Sequence, residues 1–242
     1  MKRSFDFFVS LLGMLFLSPL IIISCILIFK QDFKSPLFIA KRVGKNSKEF
    51  NMVKLRTMVV NENKNKVDST SKNDPRITKT GRYIRKFKLD ELAQLFNVFT
   101  GDMSFVGPRP NVKRETDIYT DIEKQLLFFK PGITDIASIV FSDESEILSN
   151  VEDPDIGYNQ LIRPWKSKLG LFYIRKQSFL LDMVIILITI LSIFSRQIAL
   201  KSLYIVLKNL SAPDDLCRIV LRKERLVPSP PPGSDEIVFS RE

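Results

Sequence analysis

An apolar run from about Phe5 to Phe29, interrupted only by Asp6, Ser10, Gly13, Ser18, Pro19 and Ser24, sets the first limit on this chain. A run of that length reaches across a bilayer, which takes roughly 20 residues. It is too long for a signal peptide, and Lys30-Gln31-Asp32-Phe33-Lys34 follows it in place of a small-residue cleavage site. Pro19 has no backbone N–H to donate, so a kink or break is predicted at Ser18-Pro19. Cations flank both sides: Lys2 and Arg3 before the run, Lys30, Lys34, Lys41 and Arg42 after it. The flanks therefore give no direction of crossing. A helix–break–helix that dips into the membrane and returns satisfies both; a plain spanning anchor with a tolerated proline is the other arrangement left open.

The charge balance narrows the partners. The 242 residues carry 37 Lys and Arg against 27 Asp and Glu, a formal +10. That excess calls for nucleic acid, an anionic membrane or phosphorylated substrates. The chain holds no His, which removes Ser-His-Asp and Cys-His catalysis and leaves carboxylates as acid, base or nucleophile. Cys25 and Cys217 suggest neither a disulfide framework nor a thiolate metal site.

Phe38 to Thr57 alternates loosely around a turn at Arg42-Val43-Gly44-Lys45, and a β-hairpin is predicted. Asn61 to Asn73 is polar and reads as a surface loop. Thr78 to Lys88 reads as a basic helix, with Thr80-Gly81 a break or cap. In the next stretch Leu89, Leu92, Leu95, Phe96 and Phe99 recur at helical steps. Asp90 and Glu91 fall in its first turn, where free N–H groups favour negative charge. Lys79, Arg82, Arg85, Lys86 and Lys88 precede them. An Asp in such a field suits a nucleophile or metal ligand; an ordinary acidic helix start is the alternative.

Two glycines and two prolines between Thr100 and Pro110 bracket Arg109, a stiff loop with a guanidinium fork suited to phosphate. The alternative is a tight helix-to-helix turn. Arg114 to Phe129 is helical in pattern, and Lys130-Pro131-Gly132 ends it. A second apolar run, Phe179 to Phe194, is short for a span and fits a helix lying at an interface or packed on the first. Ala199 to Leu210 is amphipathic, and the Pro-rich end from Pro228 to Glu242 is expected to be disordered.

Seven motifs occur in order: Lys2-Arg3-Ser4-Phe5-Asp6, Ser18-Pro19, Lys54-Leu55-Arg56-Thr57-Met58, Asp74-Pro75-Arg76-Ile77-Thr78, Lys88-Leu89-Asp90-Glu91-Leu92, Gly101-Asp102-Met103-Ser104 and Val106-Gly107-Pro108-Arg109-Pro110. With them the chain resembles the bacterial sugar transferases, specifically the small monotopic phosphoglycosyl transferases, from Lys2 to about Thr189. The resemblance continues through Lys130-Pro131-Gly132-Ile133-Thr134. It then departs: Asp135-Ile136-Ala137-Ser138 stands where many relatives carry a Gly and a Gln-containing segment.

The resemblance implies transfer of a phospho-sugar from a UDP-sugar to a polyprenyl (undecaprenyl) phosphate with release of UMP. It implies a covalent intermediate on Asp90, Mg2+ held by Asp90 and Glu91, and a re-entrant helix broken at Ser18 and Pro19. Arg85 matches a family Arg near the phosphates and Arg109 the Arg of Pro-Arg-Pro. Lys54, Arg56 and Arg76 complete the expected substrate-binding cations. The expected setting is the bacterial inner membrane, the active site on its cytoplasmic face, with membrane lipid but no nucleic acid as partner; a homodimer is allowed. The expected fold is α+β and mostly helical. A re-entrant membrane helix occupies 1–35 and a catalytic domain with a small β element and amphipathic interfacial helices 36–200. An amphipathic segment and tail fill 201–242. The rival is a non-catalytic, membrane-anchored basic protein binding anionic lipid.

Overall fold

The computed structural model describes residues 1–60 and 74–240. The loop expected over Asn61–Asn73 lies outside the described residues. Helix α1 (Lys2–Asp32) is unbroken, with Pro19 inside it. The expected break is absent for a local reason. Pro19 has no N–H for the carbonyl of Leu15, one turn back, and the Ser18 hydroxyl donates to that carbonyl at 2.7 Å instead.

Within α1 only Asp6, Ser10, Ser24 and Ile28 are buried, while Phe8, Leu15, Phe16, Ile22 and Ile23 are largely exposed. Both ends are pinned to the same globular body. At the start, the Lys2 ammonium donates to the Val106 carbonyl and the Asp182 carboxylate, each at 2.7 Å. Arg3 donates to the carbonyls of Val98 and Phe99. At the far end Ile28 packs with Leu55 and Ile84, and Arg56 grips both oxygens of Asp32 at 2.5 and 2.6 Å.

Strands β1 (Leu37–Val43) and β2 (Glu49–Leu55) form the predicted antiparallel hairpin, with Phe38 opposite Lys54. Helix α2 (Lys79–Lys86) starts at Thr78, whose hydroxyl accepts from the Gly81 N–H. Gly81 is not a break but a contact. A Cβ there would lie 2.1 Å from the Thr57 carbonyl oxygen, so only glycine lets α2 reach the strand end.

The single amphipathic helix expected from Leu89 is instead a 3-10 turn (Leu89–Gln94) followed by α3 (Leu95–Thr100). Lys88, left-handed at φ 53°, separates this turn from α2. Phe96, on the predicted apolar stripe, is 53% exposed, whereas Asn97 and Val98 are buried.

The glycine- and proline-rich loop carries β3 (Ser104–Val106), which pairs in parallel with a later strand, β4 (Gly132–Thr134). The two run very close at Gly107 and Gly132, where a Cβ on Gly132 would meet the Gly107 nitrogen at 2.1 Å. Between them lie α4 (Lys113–Asp117) and α5 (Asp121–Lys124). The one helix expected there is cut where Thr120 and Glu123 form a capping box.

The remaining helices are α6 (Ile136–Val140), α7 (Glu144–Ile147), α8 (Pro154–Gly157), α9 (Arg163–Lys176), α10 (Phe179–Phe194), α11 (Arg196–Asn209) and α12 (Asp214–Leu221). They share a core that includes Val106, Ile139, Tyr173, Ile185, Leu203 and Val220. Helix α10 coincides with the second apolar run and packs on α1 through Phe5 and Phe179, ring centroids 5.3 Å apart. Its outer face exposes Leu180, Leu187 and Phe194.

The domain boundary expected at 200 falls inside α11, whose Leu203 and Leu207 belong to that core. The tail is also seated rather than disordered through residue 240, although it forms no helix or strand. The Ser229 N–H donates to Gln160 O at 3.0 Å, the Gln160 amide to Val238 O at 2.9 Å, and the Thr120 hydroxyl to Pro232 O.

Candidate active site

Asp90 and Glu91 sit where the 3-10 turn meets the end of β2. Strand alternation puts Lys54 on the same face as the buried Met52, and its ammonium stands 3.9 Å from Asp90 and 3.7 Å from Glu91. Asn97 fixes that spacing: its side-chain oxygen accepts from the Val53 N–H at 2.9 Å and its amide donates to the Asn51 carbonyl at 2.8 Å. One buried amide thus ties α3 to β2 on either side of Met52.

Arg109 arrives from the loop after β3 and donates to Glu91 at 2.5 Å. The neighbouring backbone is locked by Gly107, which donates to the Thr134 carbonyl, while the Gly132 N–H donates to the Pro108 carbonyl. Arg85, in the last turn of α2, is oriented by the Thr57 hydroxyl at 2.9 Å and feels the charge of Asp90.

The two carboxylates are therefore unlike. Burial opposes ionisation of Glu91, yet Arg109 and Lys54 outweigh it and hold the carboxyl at about 2. Among the described residues no cation comes within hydrogen-bond distance of Asp90, and its pKa is pushed up by burial, which Lys54 only partly offsets. Burial also lowers the Lys54 ammonium, with Arg109 adding to it. Adjacent acids driven apart in this way can take different roles. Glu91 is a fixed anion; Asp90 is the more basic oxygen and the freer one.

Among the described residues no three His, Cys, Asp or Glu side chains cluster as a metal cage. Two neighbouring carboxylates without a third suit Mg2+, which keeps water and takes one or two carboxylates plus substrate phosphates.

Of the cations expected from sequence, Lys54, Arg85 and Arg109 converge on the dyad. Arg56 does not: its donors are used on Asp32, the Ser35 carbonyl and the Lys34 carbonyl. Arg76 is paired with Asp74, the acid that also faces Arg85. Sequence reasoning gave no role to Asn97, which carries no pattern of its own, or to Thr57, which it named only as a motif member. Asp182 is a charge inside the apolar run Phe179–Phe194. Such a charge demands a partner, and Lys2 is that partner.

A family model described as "Bacterial sugar transferase" matches residues 1–196. The UDP-glucose:undecaprenyl-phosphate glucose-1-phosphate transferase of Klebsiella pneumoniae is 35% identical over 194 residues, 78% of this chain and 39% of that protein. The undecaprenyl-phosphate galactose phosphotransferase of Salmonella typhimurium is 41% identical over 151 residues, 55% of this chain and 31% of its own length. The exopolysaccharide production protein ExoY of Sinorhizobium fredii is 31% identical over 204 residues, 78% of this chain and 83% of that protein. The chain thus spans well under half of the first two relatives and most of the third.

Proposed function

The chain belongs to the bacterial sugar transferase family, and we propose that it moves a sugar 1-phosphate from a UDP-sugar to undecaprenyl or another polyprenyl phosphate, releasing UMP. The observation that carries this reading is the Asp90-Glu91 dyad, ringed by Lys54, Arg85 and Arg109 inside the matched region. Such cations neutralise diphosphate charge, which is most of what phosphoryl transfer requires of a protein.

In the first half-reaction an Asp90 carboxylate oxygen attacks the β-phosphorus. The bond from that phosphorus to the bridging oxygen breaks, and UMP leaves with the electron pair. The product is an acyl phosphate carrying the sugar. In the second, an oxygen of polyprenyl phosphate attacks the same phosphorus and restores the Asp90 carboxylate. Glu91, held by Arg109 at 2.5 Å, keeps that guanidinium aimed at the phosphates. Mg2+ held by Asp90 and Glu91 would neutralise further diphosphate charge.

The reading places α1 in one leaflet, with both ends on the cytoplasmic side of a bacterial inner membrane. What supports it is that Lys2 and Asp32 are both bound to one globular body. An unbroken 31-residue helix is about 46 Å long, so with both ends on one side it lies along the interface rather than across the hydrocarbon core. The exposed apolar faces of α1 and α10 supply the lipid contact. Cysteine labelling at positions 2 and 34 of intact cells, on a background lacking Cys25 and Cys217, should fail from outside at both; labelling at one site alone would indicate a true span.

The reaction itself is tested by UMP release from a panel of UDP-sugars in the presence of polyprenyl phosphate and Mg2+. Sustained release that requires both substrates is expected, beyond the single stoichiometric burst that the donor alone gives; none from any donor would favour the non-catalytic, lipid-binding alternative.

A further inference from the structure

Strand β1 leaves the end of α1 through apolar residues that stay in the open. Phe33 and Leu37 are exposed, and Phe38 and Ile39 remain 51% and 61% exposed. A strand covered on one face alternates buried with open side chains. Here the first three residues of β1 are apolar and open on both faces, and burial begins only at Ala40, which packs with Met52, Val98 and Met103. This patch is held against α1. Arg56, which grips Asp32 at the last residue of that helix, also donates its backbone N–H to the Pro36 carbonyl at 2.8 Å. Phe38 is directly opposite Lys54 in the hairpin. Side chains opposite each other in an antiparallel pair share a face, their Cβ atoms about 5 Å apart. Lys54 in turn stands 3.9 Å from Asp90. Phe38 therefore lies between the end of the lipid-facing helix and the cation at the dyad.

We infer that Phe38 receives the first isoprene units of the polyprenyl phosphate and so brings the acceptor's phosphate to Lys54. The inference rests on the transfer proposed above. An acceptor drawn from the membrane carries an apolar chain on one side of a charged group, and its site has to match both. Lys54 is too far from either carboxylate for a hydrogen bond, so its donors can meet the phosphate. The Phe38 ring beside it offers apolar area that a hydrocarbon would cover. Connectivity selects the ligand. The isoprenoid is bonded directly to the acceptor phosphate, so its first unit falls beside the cation that holds that phosphate. Uracil is separated from the reacting phosphorus by a ribose and a second phosphate. The donor sugar is bonded to that phosphorus as well, but its hydroxyls call for donors and acceptors. The side chains flanking Phe38 on its strand, Leu37 and Ile39, offer neither. Leu37 and Ile39 point to the other face of β1, away from Lys54.

The test uses the full-length enzyme in lipid nanodiscs of fixed composition, with undecaprenyl phosphate, one turned-over UDP-sugar, and UMP as product inhibitor. Phe38→Ser should raise KM for undecaprenyl phosphate about tenfold, the loss expected when the open part of one aromatic ring is no longer covered. Phe38→Leu, which stays apolar, should recover most of it. KM does not depend on how much of a variant folds, so a lowered yield leaves the comparison intact. In Phe38→Ser the KM for UDP-sugar, the UMP burst without acceptor and the inhibition by UMP should all be unchanged. Ile39→Ser, on the opposite face, should leave the acceptor KM as it is. An equal rise in Ile39→Ser would make the patch a general lipid contact and overturn the inference. A raised UDP-sugar KM or weakened UMP inhibition in Phe38→Ser would put the donor on that ring and overturn it too, as would an unchanged acceptor KM. Wild-type protein giving neither burst nor turnover with any donor would remove the transfer reading itself, and the inference with it.

Discussion

Lys54 and Arg56 stand two residues apart at the end of β2, yet they serve different ends of the molecule. Arg56 is saturated, with both Asp32 oxygens and two backbone carbonyls taking its donors, and it is only 7% exposed. Lys54 lies too far from either carboxylate for a hydrogen bond and keeps its donors. The sequence motif Lys54-Leu55-Arg56 presents two equal cations. Alternation alone would keep them on one face, but β2 ends at Leu55, and beyond it Arg56 is taken by Asp32. One fastens the apolar helix α1 to the body, while the other faces the dyad. What makes a cation available to substrate is that its hydrogen bonds are not already used.

That contrast orders the expected effects. The largest belongs to Arg109, whose guanidinium touches Glu91. Arg109→Lys keeps charge but loses the planar fork. A fall in kcat/KM of about 100-fold is expected, the cost of one transition-state donor, with Tm little changed. A lowered Tm with intact kinetics would make Arg109 a structural turn residue.

Arg56→Met should do the reverse. It removes the tie between α1 and the hairpin, so Tm falls while KM for the UDP-sugar is unchanged in the protein that stays folded. A raised KM at constant Tm would return Arg56 to the substrate site.

The subtlest effect is on pH dependence. Burial sets the Asp90 pKa above the ordinary carboxylate value, so the acidic limb of kcat/KM should lie above 3.8. Lys54 favours the ionised form of Asp90. Lys54→Met removes that help, raises the Asp90 pKa further and moves the limb to higher pH. A limb that stays in place would show that Lys54 and Asp90 are not coupled.

The hairpin, the Phe179–Phe194 helix and the dyad's three nearest cations were legible because each rests on local pattern or motif. The continuity of α1 was not: Pro19 predicts a break, and the rescue depends on one hydroxyl bond from Ser18 to Leu15. The parallel pairing of β3 with β4 joins segments 28 residues apart in register, Ser104 with Gly132, and carries no local period. The seated tail depends on Gln160 and Thr120, side chains no tail composition reveals. Arg56 and Arg85 look alike in sequence; only the partners brought by folding, Asp32 for one and Thr57 for the other, tell them apart.

The central claim is that Asp90 forms the covalent bond. Intact-protein mass spectrometry after incubation with a turned-over UDP-sugar and Mg2+, without polyprenyl phosphate, tests it directly. The wild type should gain one phospho-sugar and release a matching burst of UMP, and the adduct should disappear when polyprenyl phosphate is added. Asp90→Asn, folded to the same Tm, should gain nothing. An adduct on the Asn variant, or UMP release by the wild type only when the lipid acceptor is present, would contradict the account.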